Sequence, residues 1–263
     1  GGDYDEDEWG NLFEYPDDLD LKGLRYFTNL EEIDYTYSEL KNINELAYLS
    51  NLKNVNLEGC KLDMKSTDEL KVLTCMKKIN LCILSCGLKD IDFLKYFSDS
   101  KINKLYLSDN EITDISSLKF IKNIRHLSLD NNKIENIQPL KNLKSLKTLN
   151  LDNNQIKNIN PLSRLNILLS LSLSNNKISD FSVLSKLTEI KTLELSNSKI
   201  SDISSLSNLT KIKTLDLSKN KIYDTSKLSK LTEIKTLDLS NNRIKNINPL
   251  INLKKIKDLD LTN

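Results

Sequence analysis

The side chains able to do acid–base, nucleophilic or metal chemistry are few in this chain. Four cysteines (Cys60, Cys75, Cys82 and Cys86) and one histidine, His126, make up its thiols and imidazoles. Cys82-x3-Cys86 has a metal-like spacing, but zinc sites usually take four nitrogen or sulfur ligands. Here Cys82 is expected on a solvent face and Cys86 in the core, with one histidine to help. A single imidazole removes most histidine-based proton relays. Six glycines leave little room for a glycine-rich phosphate loop, and none is present. The carboxylates that stand out are Glu194, Asp216, Asp238 and Asp260, each 22 residues after the last. They form a regular row in one environment, not a pair tuned apart as acid and base. Calcium would need a loop wrapped around the ion, which one carboxylate per strand does not supply. No catalytic residue, metal or cofactor is assigned, and the chain is expected not to be an enzyme.

The 22-residue step that spaces these carboxylates runs through most of the chain. Leu105 and Leu107 alternate, Asn110 follows, and Ile112, Ile115, Leu118, Ile121 and Ile124 come every third residue before Leu127, Leu129 and Asn132 restart the cycle. The step recurs at Leu149, Leu171, Leu193, Leu215, Leu237 and Leu259. A fixed period in this range marks a stacked repeat array. The Leu-x-Leu alternation puts both leucines on one face of a short strand. Spacing by three suits a tight 3₁₀-like or extended return. One such coil cannot bury its apolar side alone, so coils stack and their strands form a parallel sheet. Asn110, Asn132, Asn154, Asn176, Asn220 and Asn242 fall where the chain leaves the strand, with Ser198 once in their place. Amides carry donors and acceptors, so a buried column of them can satisfy turn backbone groups.

The pattern resembles the leucine-rich repeat, L-x-x-L-x-L-x-x-N-x-I, over roughly residues 24–263. The resemblance implies a curved α/β repeat solenoid: a horseshoe with a parallel concave β-sheet and short 3₁₀ or extended convex segments. The segments I-S-D-I-S-S-L-S-N-L-T and N-N-Q-I-K-N-I-N-P-L are similar to internalin-type bacterial repeats, and to the 22-residue repeats of SDS22-like phosphatase regulators.

Alignment by the period gives about eleven coils. The coil from Val55 is 26 residues long and the one from Leu81 is 24. Within the first, Met64 to Leu70 has a helix-start character, with Ser66 or Thr67 as cap and Glu69 behind, so a short convex helix is expected. Pro139, Pro161 and Pro249 share one place on the return path, where no ladder bond is lost. Cys60 and Cys86 fall in the asparagine column and read as small buried turn residues. Residues 1–23 do not repeat. Their acids are interleaved with Trp9, Leu12, Phe13 and Tyr15, which suggests an acidic, aromatic N-terminal cap. The solenoid would then run over residues 24–263, truncated at its C-terminal end, since natural arrays cap their last coil.

Two concave features emerge from the columns between strand leucines. Glu194, Asp216, Asp238 and Asp260 form an acidic stripe. Cys82, Leu84, Tyr106 and His126 form a less polar patch nearer the N-terminus. Both are candidate partner-binding surfaces, because aromatic anchors dominate binding energy and charge steers association. Basic rows at Lys133, Lys177, Lys199, Lys221 and Arg243 lack interleaved aromatics, and net charge is only +1. That argues against nucleic acid. No apolar run reaches membrane-span length.

The expectation is a monomeric protein-binding module that uses its concave face. The internalin resemblance implies a bacterial surface or secreted adhesion and virulence module, so that location is favoured over the cytoplasm. An intracellular scaffold or enzyme-regulatory subunit is the SDS22-like alternative, and the recognition domain of a larger enzyme is a further one.

Overall fold

A computed structural model describes residues 18–62, 67–76, 78–97 and 102–263, with the backbone strands Asp5–Glu6 and Leu12–Phe13. Trp9, Tyr15 and the cap position Ser66 lie outside the described residues.

Eleven parallel strands form one sheet, in chain order from Glu32–Thr36 to Asp258–Asp260. Leucine pairs with leucine across it, Leu105 to Leu127 to Leu149 to Leu171 and on to Leu259. The register slips once, at Ile79 and Asn80 against Ile102 and Lys104, where the long coils end. Short 3₁₀ segments carry the chain back outside the sheet, such as Ser116–Phe120 and Gln138–Asn142. The expected convex helix is a 3₁₀ segment too, Thr67–Cys75. A second small sheet, not foreseen from the repeat, joins Leu19–Asp20, Glu39–Lys41 and Lys61–Leu62 in parallel.

Local chemistry explains these turns. Each 3₁₀ segment of a regular coil starts behind an Asp or Asn whose Oδ1 accepts the N–H two residues on. Asp114 takes Ser116 N–H at 2.8 Å and Asn158 takes Asn160 N–H at 2.9 Å. Such Asx turns hold the chain without a longer helix. The three prolines sit in the first turn of their segments, where no N–H is needed. Ahead of the column, Asn131, Asn153, Asn175 and Asn241 take left-handed φ of 53°, 52°, 56° and 52°. Asparagine tolerates that region better than most residues, which accounts for the recurring Asn-Asn pairs.

The core is one continuous column of leucine and isoleucine. Leu105, Leu107, Ile112, Ile115, Leu118, Ile121 and Ile124 are all at most 1% exposed. Burying each such side chain contributes about 1.5–3 kcal/mol before chain entropy is subtracted.

Candidate interaction surface

The asparagine column works as a hydrogen-bond spine beneath the concave sheet. Asn154 Nδ2 donates to the carbonyls of Leu129 (2.9 Å), Leu151 (3.1 Å) and Asp152 (3.0 Å). Its Oδ1 accepts Ile134 N–H at 3.0 Å. Asn110, Asn132, Asn220 and Asn242 repeat the three donor contacts. The expectation that all six are buried needs correction: Asn176 and Asn242 are half-buried. Asn176 lies beneath Ser198, whose shorter side chain covers less, and Asn242 lies beneath the last coil. Cys60 and Cys86 occupy the same column, and their thiols donate to the carbonyls of Tyr35 (3.1 Å) and Leu57 (2.6 Å). Burial pushes the Cys86 thiol up to about 12 and that of Cys82 up to about 11. Both stay protonated at neutral pH and are poor nucleophiles. Among the described residues no cluster of His, Cys, Asp and Glu could hold a metal ion, and no helix is long and apolar enough to cross a membrane.

The concave columns lie where their spacing puts them. Cys82 pairs with Tyr106, and Tyr106 with Ser128. Glu194, Asp216, Asp238 and Asp260 pair in an unbroken row. Cys82, Leu84, Tyr106 and His126 are all half-buried. His126 stands opposite Lys104 and Thr148, with Nδ1 3.1 Å from Thr148 Oγ1. Burial, then Lys104, Lys147 and Arg125, lower its pKa and favour the neutral ring. The Tyr106 patch therefore has a basic margin, whereas the far end of the face is acidic.

Column reading missed a junction between columns. Ser172 Oγ lies 2.6 Å from both oxygens of Asp152 and 2.9 Å from Glu194 Oε2. Ser174 N–H also donates to Asp152, at 2.6 Å. Ser108 and Ser128 hydroxyls both donate to Asp130 at 2.6 Å. Asp152 and Asp130 thus extend the acidic surface beyond Glu194. Burial pushes the Asp152 carboxyl up to about 6, against the hydrogen bonds from Ser172 and Ser174, and Glu194 and Asp130 add to the rise. The folded chain then binds this proton more tightly than the unfolded chain. Stability from this group falls as pH rises from about 4 towards about 6, because the unfolded state releases the proton first. Asp152→Asn keeps an acceptor without the charge. Its stability advantage over the wild type is expected to widen across that window in urea titrations at successive pH values. A gap independent of pH would contradict the assignment.

Column reading also missed aromatics on the 3₁₀ side. Tyr26, Tyr48 and Tyr96 are 82%, 52% and 41% exposed. The Arg25 guanidinium covers the Tyr48 ring at 4.2 Å and also pairs with buried Glu45. The 22-residue step from Tyr26 to Tyr48 was the available signal.

The model for leucine-rich repeats in paired copies matches residues 100–142, 122–164, 168–208, 188–232 and 210–252, more than half of the chain. The chain belongs to the leucine-rich repeat family. An internalin from Listeria monocytogenes is similar in structure at TM-score 0.80 and 31% identity, covering 91% of this chain and 70% of the internalin. Internalin C2 of the same bacterium is similar at TM-score 0.68 and 33% identity, covering 73% and 83%. A leucine-rich repeat protein of Leptospira interrogans shares the fold at TM-score 0.77 and 24% identity, over 90% of this chain and 62% of that one. No curated protein matches by sequence. Leucine-rich repeat membership and the internalin likeness support a protein-interaction module, and arrays of this family are typically non-enzymatic.

Proposed function

We propose that this leucine-rich repeat array binds a protein partner on its concave face as an internalin-like module of a bacterial surface or secreted protein. The observation that carries this reading is the likeness to two internalins at over 30% identity across most of both chains. The concave face supplies a surface for the task. Cys82, Leu84 and Tyr106 offer half-buried anchors beside His126 and its basic neighbours Lys104, Lys147 and Arg125. Glu194, Asp216, Asp238 and Asp260 offer charge that steers a basic region of the partner. Anchors that lose water on contact carry most of the affinity, and the charges set orientation and on-rate.

The test is capture by the wild type and by Tyr106→Ala with Leu84→Ala, from solubilised cell surfaces and from the cytosol of the source organism. The double variant is expected to lose a surface-protein partner by tenfold or more, about 1.4 kcal/mol, with its Tm unchanged. A partner held equally by both proteins would remove the patch as anchor. A partner found only in cytosol would move the reading to an intracellular regulator.

A further inference from the structure

Three departures from the repeat meet in one cleft. The first is Ser198, the only serine in the asparagine column from Asn110 to Asn242. In neighbouring coils the column amide accepts the N–H of the isoleucine before it: Asn154 takes Ile134, Asn176 takes Ile156, and Asn220 takes Ile200. Ser198 Oγ instead donates to Ser196 O at 3.1 Å, and among the described residues Ile178 N–H makes no hydrogen bond. The second is Lys199, whose φ of 58° is left-handed. Its counterparts Lys177 and Lys221 donate to Ile156 O and Ile200 O at 2.9 and 2.7 Å, but Lys199 N–H makes no such bond to Ile178. The third is Phe181. Its counterparts Ile137, Ile159 and Ile203 are at most 2% exposed, while Phe181 is half-buried.

The result is a cleft of about 810 Å³ between the two coils, outside the concave sheet. That volume lies within the range of small-molecule sites. Phe181 lines it, the backbone N–H groups of Ile178 and Lys199 beside it have no hydrogen bond among the described residues, and serines surround it. Lys177 and Lys199 balance Asp180 and Asp202 around the mouth, so the lining has no net charge. The unpaired donor at buried Ile178, with the N–H of exposed Lys199 beside it, favours a ligand that brings oxygen acceptors. The part of the Phe181 ring that the core leaves uncovered can take the apolar side of a ring, and paired opposite charges give hydrogen-bond donors and acceptors without selecting an ion.

We infer that this cleft binds a neutral saccharide unit, with one ring face on Phe181 and hydroxyls accepting from Ile178 and Lys199 N–H. The site is independent of the concave face, so its failure would leave the protein-binding reading untouched. The test uses ¹⁵N-labelled protein titrated with glucose and with N-acetylglucosamine. Two variants restore the repeat residues, Phe181→Ile and Ser198→Asn, and each is expected to fold at least as well as the wild type. The expected result is saturable shifts confined to the amides around Ile178, Phe181 and Lys199, with at least tenfold weaker binding in each variant. Absence of localised shifts at millimolar sugar overturns the inference. So do shifts that persist unchanged in both variants, or markedly tighter binding of glucuronate or glucosamine than of the neutral sugars.

Discussion

Phe93→Ala is expected to lower stability by about 3–5 kcal/mol, the range for emptying a core aromatic site. Phe93 is 0% exposed and meets Phe97 edge to face at 6.2 Å and 80°. Regular coils carry Ser117, Pro139 or Pro161 at its place. Phenylalanine fits there because the preceding coil is longer and carries the nine-residue 3₁₀ segment Thr67–Cys75. A small residue at this fully buried place would leave a cavity against that segment. Stability in a stacked array is a sum of coils and their interfaces, so the loss concentrates near the cavity. Urea unfolding gives the magnitude, and hydrogen exchange should show the strands Asn54–Glu58 and Ile79–Cys82 opening first. A loss below about 1 kcal/mol would mean that the coils close over the gap.

Asn154→Ala comes next, at roughly 1–3 kcal/mol for a buried polar group stripped of its partner. The change leaves Ile134 N–H and three carbonyls without the amide that serves them. Asn154→Cys should lose less, because Cys60 and Cys86 show a thiol donating to the same class of carbonyl. It should still expose Ile134 N–H, since sulfur is a weak acceptor. Faster exchange of the Ile134 amide in both variants is the specific readout. A stability change within error for Asn154→Ala would mean that water already serves the column.

Much of this architecture is legible in the chain because the repeat is nearly exact. The run from Leu105 to Asn132 defines the strand, the turn and the return, and stacking puts Glu194, Asp216, Asp238 and Asp260 in one row. Contacts between rows are harder to read. Asp152 is linked to Glu194 through Ser172 because adjacent coils lie a strand spacing apart and the serine hydroxyl reaches both carboxylates. The small sheet at Leu19–Asp20 and Glu39–Lys41 depends on local backbone pairing outside the leucine pattern. The half-burial of Asn176 depends on its neighbour Ser198, a relation that a column of residue types does not express.

The central claim, that partners are held on the concave face, is tested most directly by site-specific photocrosslinking. A benzophenone side chain is placed at position 106, on the sheet, or at position 223, where Tyr223 is 68% exposed outside the strands. Each protein is irradiated on intact cell surfaces, and the adducts are identified by mass spectrometry. The account predicts one dominant protein adduct from position 106, competed away by unlabelled wild type and absent from position 223. Adducts only from position 223, or none from 106 while the wild type still binds the cells, would contradict it.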